Sequence, residues 1–157
     1  MDTILIRDLA ILDIEDLISL IQLVHRTSYR GVFSEKLIES MCRKYTKKAI
    51  ERRMGYTRFF VAENTANHKL IGVIGLKEST VRGFYVHPDF QRKGVGSLLY
   101  MHLEKIARVA QLSELNLESS PLGTPIYLHF GFTKIEVISK EREGMEYTNI
   151  VMRKALT

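Results

Sequence analysis

Between Val86 and Ser97 the chain reads Val86-His87-Pro88-Asp89-Phe90-Gln91-Arg92-Lys93-Gly94-Val95-Gly96-Ser97: a strand end, a polar loop and the opening of a helix. The first amides of a helix, here those around Val95, Gly96 and Ser97, have no intrahelical acceptor, and the helix dipole adds partial positive charge to them. Glycines at 94 and 96 remove the Cβ atoms that would hold an anion away from the backbone. Arg92 and Lys93 place two full positive charges beside those amides. A phosphate or pyrophosphate is the guest that such a loop suits. Two nucleotide-binding patterns are excluded. No Gly-x-x-x-x-Gly-Lys-Ser/Thr string is present, and Leu99 stands where the dinucleotide fingerprint needs its third glycine.

The elements that must position this loop follow from periodicity. Ile4-Leu5-Ile6 is a short opening strand, and Asp13 stands as an N-cap before Ile14, Leu17, Ile18, Ile21 and Val24, spaced as one face of a helix. A second helix starts at Ser34 with Leu37, Ile38, Met41 and Tyr45 and runs to Gly55. Phe59–Ala62 and Leu70–Leu76 read as a hairpin, and Thr80–Val86 as a third strand ended by Pro88. Val95, Leu98, Leu99, Leu103, Ile106 and Ala110 share the face of the helix after the loop. A strand at Leu115–Leu117, a short helix from Pro121 to Phe130, and strands near Thr133–Ile138 and Tyr147–Arg153 complete the chain. The predicted order is β-α-α-β-β-β-α-β-α-β-β, an α+β domain with a mixed sheet.

Composition sets the outer limits. The chain has 157 residues, 45% hydrophobic and 26% charged, with a net charge of +5, as expected of one globular domain spanning 1–157. No Gly/Ser/Pro-rich linker or repeat divides it. The uncharged run Leu17–Val24 is too short to cross a bilayer, and Met1-Asp2-Thr3 opens no secretory signal, so a cytoplasmic protein with no membrane partner is expected. Cys42 is alone, and His25, His68, His87, His102 and His129 show no metal spacing, so neither a disulfide nor a metal site is expected. Seven basic residues lie from Arg43 to Arg58 against the single acid Glu51. Such a run is a solvated helix face or a patch for an acidic partner.

Two further strings join the loop to a known family. Val86-x-Pro followed by Gln91-x-x-Gly94-x-Gly96 resembles the acyl-donor signature of the GNAT superfamily of N-acetyltransferases. Ser120-Pro121-Leu122-Gly123-Thr124-Pro125-Ile126-Tyr127, running on to Gly131-Phe132, resembles the family's second signature, with Gly123 in the place of an alanine. The tail Met152-Arg153-Lys154-Ala155-Leu156 is similar to the family's closing strand. The resemblance covers nearly the whole chain and implies a mixed, mostly antiparallel sheet flanked by helices. It implies acetyl-CoA as co-substrate, its pyrophosphate on the loop from Gln91 through Arg92, Lys93, Gly94, Val95 and Gly96 to Ser97. The backbones of Phe84, Tyr85 and Val86 would hold the pantetheine arm, with the Val86 amide on the acetyl carbonyl. Ser120 and Thr124 would line the channel, and Tyr127 would protonate the departing thiolate.

The sequence departs from the family near Thr80, where many members carry a glutamate that acts as general base. Glu78 and Glu118 are the substitutes, directly or through water; bulk water is a third acceptor for the proton. The glycine at 83 inside a strand suggests a bulge that would free amides from the ladder. His25, Tyr29 and Tyr45 could line the acceptor side. The acceptor amine is unspecified and a homodimer is compatible with the fold. Two other readings are a coenzyme-A-binding sensor without catalysis, and a nucleic-acid-binding domain using helix 43–58, which lacks interleaved aromatics and any groove-reading motif.

Overall fold

The computed structural model describes residues 3–157, so part of the Met1-Asp2-Thr3 segment read above lies outside the described residues. Seven strands form one sheet in the order β1-β2-β3-β4-β5-β7-β6. They are β1 (Ile4–Asp8), β2 (Arg58–Asn64), β3 (Lys69–Lys77), β4 (Thr80–Val86), β5 (Glu114–Ser119), β6 (Thr133–Arg142) and β7 (Met145–Ala155). All neighbours are antiparallel except β4 and β5, which run parallel. The helices are α1 (Ile14–Ser28), α2 (Glu35–Arg43), α3 (Lys47–Met54), α4 (Val95–Val109) and α5 (Thr124–His129).

Alternation along β2 and β3 sends side chains to both faces, and both faces are covered. Phe60, Ala62 and Ile74 pack with Leu99 and Leu103 of α4; Phe59, Val61 and Val73 pack with Leu17, Ile21 and Val24 of α1. This two-sided burial is why β2 and β3 read as continuous apolar runs rather than alternating ones.

Three local expectations are corrected. The helix predicted from Ser34 to Gly55 is two helices, because the Thr46 hydroxyl accepts from the Ala49 amide (3.2 Å) and caps a new start. Asp13 is the N-cap residue of α1, as expected, but its side chain makes no capping bond to the helix. Its carboxylate accepts from the Ala10 amide (2.8 Å) and from Arg7 Nη1 (2.7 Å), holding the turn before the helix. The last two strands are longer than predicted and meet in a two-residue turn, Glu143 (φ 51°) and Gly144 (φ 78°), both left-handed as a tight hairpin requires.

Candidate active site

The sheet opens between β4 and β5. Pairing there is confined to Thr80 opposite Asn116, backed by the Asn116 amide on the Ser79 carbonyl (2.9 Å). Beyond that point no ladder joins the two strands, and a cavity of about 450 Å³ fills the gap.

The expected bulge is present in β4. Val73 pairs with Tyr85 and Gly75 with Arg82, so Gly83 and Phe84 together face Ile74, with Gly83 at φ +62°. The His87 amide donates to the Ile71 carbonyl (2.8 Å). Antiparallel alternation then turns both main-chain groups of Val86 toward the gap. Gln91 Nε2 takes the Val86 carbonyl (3.1 Å), which leaves the Val86 amide facing the opening. Gln91 thus ties the loop to the strand. The side chains of β4 divide: Phe84 and Val86 pack on the α4 side, Tyr85 on the α1 side.

The loop reaches α4 through two left-handed residues, Arg92 (φ 60°) and Gly94 (φ 87°), a curvature that gathers successive amides on its concave side. Arg92, Lys93 and Ser97 are exposed, whereas the Val95 side chain is core, so only its backbone can serve a ligand. Gly96 lies over β4, where an added Cβ would come 3.4 Å from Phe84 Cζ.

Tyr127 on α5 stands across the cleft with its ring 6.0 Å from that of Phe84, edge to face. Burial, with the nearby Tyr29, pushes its phenol above the ordinary value, so it is fully protonated at neutral pH. The turn before α5 is locked by its own hydroxyls. Thr124 Oγ1 donates to the Ser120 carbonyl (3.0 Å) and Ser120 Oγ accepts from the Gly123 amide (3.2 Å). Ser120 lines the cavity; Thr124 is buried behind it.

The two candidate bases part company. Glu78 sits in the β3–β4 turn at φ 53°, exposed and outside the cavity wall. Glu118 lies on that wall. Desolvation pushes its carboxyl up, but Lys140 (2.9 Å), Asn149 (3.4 Å) and the charge of Arg82 outweigh this and hold it below the ordinary glutamate value.

The far wall comes from the N-terminal helices. Tyr29 and Tyr45 line the cavity as expected; His25 is behind them, its ring 5.2 Å from Tyr29, 5.4 Å from Tyr45 and 5.0 Å from Tyr85. Burial pushes His25 down to about 4, and its Nδ1 lies 2.9 Å from the Ile21 carbonyl, so the ring is neutral. Tyr45 and Tyr85 join hydroxyl to hydroxyl (3.1 Å). Lys44, Arg53, Arg82, Lys140, Tyr56 and Asn149 also line the cavity, none of them singled out for this role from sequence. Lys44 and Arg53 belonged to the basic run, whose position beside Tyr45 was the available signal. Lys140 and Asn149 arrive from the β6–β7 hairpin, which Arg142 fastens to α2 through Ser40 Oγ and its carbonyl (both 2.8 Å). No local pattern announces that contact. Of the rest of the run, Arg43 pairs with Glu143 and Arg58 with Asp8.

A family model of the acetyltransferase (GNAT) domain matches residues 28–156. The chain is 31% identical over 143 residues to spermidine N(1)-acetyltransferase of Thermoplasma acidophilum, covering 83% of this chain and 88% of that protein. The PaiA N-acetyltransferase of Thermoplasma acidophilum, solved in complex with coenzyme A, shares 28% identity and superposes with a TM-score of 0.80, over 98% of this chain and 99% of that one. A GCN5-related N-acetyltransferase structure from Rhodopseudomonas palustris superposes with a TM-score of 0.90 at 20% identity, over 99% and 98% of the chains. The chain belongs to the GNAT acetyltransferase family. It is an N-acetyltransferase that uses acetyl-CoA as its acetyl donor. No helix among the described residues is long and apolar enough to cross a membrane.

Proposed function

We propose that the cleft moves the acetyl group from acetyl-CoA straight to a primary amine, both substrates being bound together. The observation that carries this reading is the break between β4 and β5, which puts a free main-chain edge, the glycine loop and the Tyr127 side chain around one opening. The pyrophosphate would lie on the amides of Val95, Gly96 and Ser97, flanked by Arg92 and Lys93. The pantetheine arm would run along Phe84–Val86 as an added strand. Its thioester carbonyl would meet the Val86 amide, which would stabilise the tetrahedral oxyanion.

The amine attacks as its free base, the new C–N bond forms, and the C–S bond breaks. Glu118, directly or through water, would take the proton that nitrogen releases, and Tyr127 would give its proton to the departing thiolate. The resulting phenolate is reprotonated from solvent. Cys42 is buried within α2, away from the cavity wall, which favours direct transfer over an acyl-enzyme. The spermidine acetyltransferase relative supports an amine as acceptor.

Calorimetric titration with acetyl-CoA and with free CoA tests the donor half, followed by thiol release in the presence of an amine series. Micromolar binding of both nucleotides and amine-dependent thiol release are expected. Binding without thiol release for any amine would favour a sensor, and no binding at all would remove the loop assignment.

A further inference from the structure

The acceptor half of the cleft gathers cations with little negative charge among them. Away from the cleft some cations have a carboxylate 2.7–3.4 Å away, as Arg7, Arg26, Arg43, Arg58, Arg108 and Arg153 do, and others, such as Lys47, Lys48 and Arg52, stand exposed in solvent, where their charge is screened. On the cavity wall stand Lys44, Arg53, Arg82 and Lys140, against the single carboxylate of Glu118, which already belongs to Lys140. Lys44, Arg53 and Arg82 make no ion pair among the described residues.

Two of these cations pack on the same aromatic ring. Lys44 Nζ and Arg53 Cζ both lie 5.1 Å from the centre of the Tyr45 ring, and that ring is fixed through its hydroxyl contact with Tyr85. Like charges brought together at a partly desolvated site are unfavourable unless something negative arrives. Burial of the Lys44 ammonium, and after it the charges of Arg53, Arg142 and Lys140, bring it down to about 8.

We infer that the acceptor is a small amine that carries a carboxylate, of amino-acid to dipeptide size, with the carboxylate on Lys44 and Arg53 and the amine toward Glu118. This rests on the acetyl-transfer reading above and narrows it. The cavity of about 450 Å³ also takes the end of the donor's arm, so the acceptor that shares it is small. A polyamine, the substrate named for the 31% identical relative, brings further positive charge to a wall with four cations and one acid, and is disfavoured here.

The test compares Gly-Glu, its diamide analogue, which lacks both carboxylates, and spermidine as acceptors at saturating acetyl-CoA. Gly-Glu is expected to exceed the other two at least tenfold in kcat/KM. Lys44→Gln and Arg53→Gln should each erase most of that preference by raising KM for Gly-Glu, and Lys44→Arg should restore it. Calorimetry of the acetylated product, N-acetyl-Gly-Glu, with CoA present gives a reading that needs no turnover. Binding that weakens tenfold or more in the Lys44→Gln/Arg53→Gln double variant supports the anion subsite. A preference for spermidine, or equal product binding by wild type and double variant, overturns it and leaves acetyl transfer intact. Failure of the acetyl-transfer reading is separate, since it would show as no thiol release with any amine.

Discussion

Replacing Gly96 isolates the donor loop from the rest of the fold. A Cβ at this position would stand 3.4 Å from Phe84 Cζ and 3.6 Å from Val86 Cγ2, so alanine enters with a shift of a few tenths of an ångström in flexible ring and methyl groups. Against that small crowding, removing a glycine from a helix gains about 1 kcal/mol of propensity. Aspartate in the first turn adds about 0.3–1 kcal/mol through the helix dipole. Neither Gly96→Ala nor Gly96→Asp should therefore lower Tm by more than a few degrees. Their effects on the donor should differ sharply. A carboxylate roughly 6 Å from a doubly charged pyrophosphate, at an effective dielectric constant of about 40, costs roughly 3 kcal/mol. That corresponds to about a 100-fold loss of affinity. Calorimetric titration with CoA at moderate salt, paired with thermal melts, reads both quantities. Gly96→Ala should bind within about threefold of wild type. If Gly96→Asp melts normally and still binds as wild type does, the pyrophosphate does not sit on this helix start. If alanine loses as much as aspartate, packing against Phe84 and not charge is responsible.

Two further predictions address the chemistry and the scaffold behind it. Tyr127→Phe keeps the edge contact with Phe84 and removes only the acid, so kcat should fall by roughly 10- to 1,000-fold with little change in CoA affinity; a normal rate at saturating substrates removes Tyr127 from the mechanism. His25 is neutral in the fold because its pKa is lowered from 6.5 to about 4. Below pH 6.5 the unfolded chain takes up a proton that the folded chain refuses until about pH 4, so stability falls as pH drops through that window. Urea melts should show about 2 kcal/mol lost between pH 7 and pH 5 from this group. In His25→Gln that segment of the pH profile should flatten; an unchanged slope would mean His25 is not the group responsible.

The donor half of the site is legible because it is local. The loop from Gln91 to Ser97, the Gly83 bulge and Tyr127 with Gly131-Phe132 each occupy one short stretch whose residue types state their conformation. The acceptor half is assembled from afar, and periodicity does not report it. Apolar spacing carries the second helix straight through Tyr45, because a cap such as Thr46 is a single polar residue with no effect on the pattern. With the helix broken there, Lys44 and Arg53 both reach the cavity wall. Lys140 and Asn149 depend on a hairpin whose first strand ends in the all-charged Lys140-Glu141-Arg142 at the sheet edge, so it lacks the apolar–polar alternation that marks a strand. Glu78 and Glu118 are equivalent as strand-end acids until tertiary structure leaves one in a turn and the other facing the gap.

The single bridge between Thr80 and Asn116 also governs how freely this protein can change over time. In the proposed binding mode the donor is held by strand-edge amides, groups that nearly every residue type supplies, so substitutions along β4 would alter packing without erasing that recognition. The proposed acceptor wall is the opposite case, dependent on particular side chains at the α2–α3 corner and on an edge hairpin, whose chemistry a single replacement changes. Mutation would therefore redirect which molecule is modified well before it disturbed the source of the acetyl group. Retention of the fold at a TM-score of 0.90 with 20% identity is what such a division of labour permits.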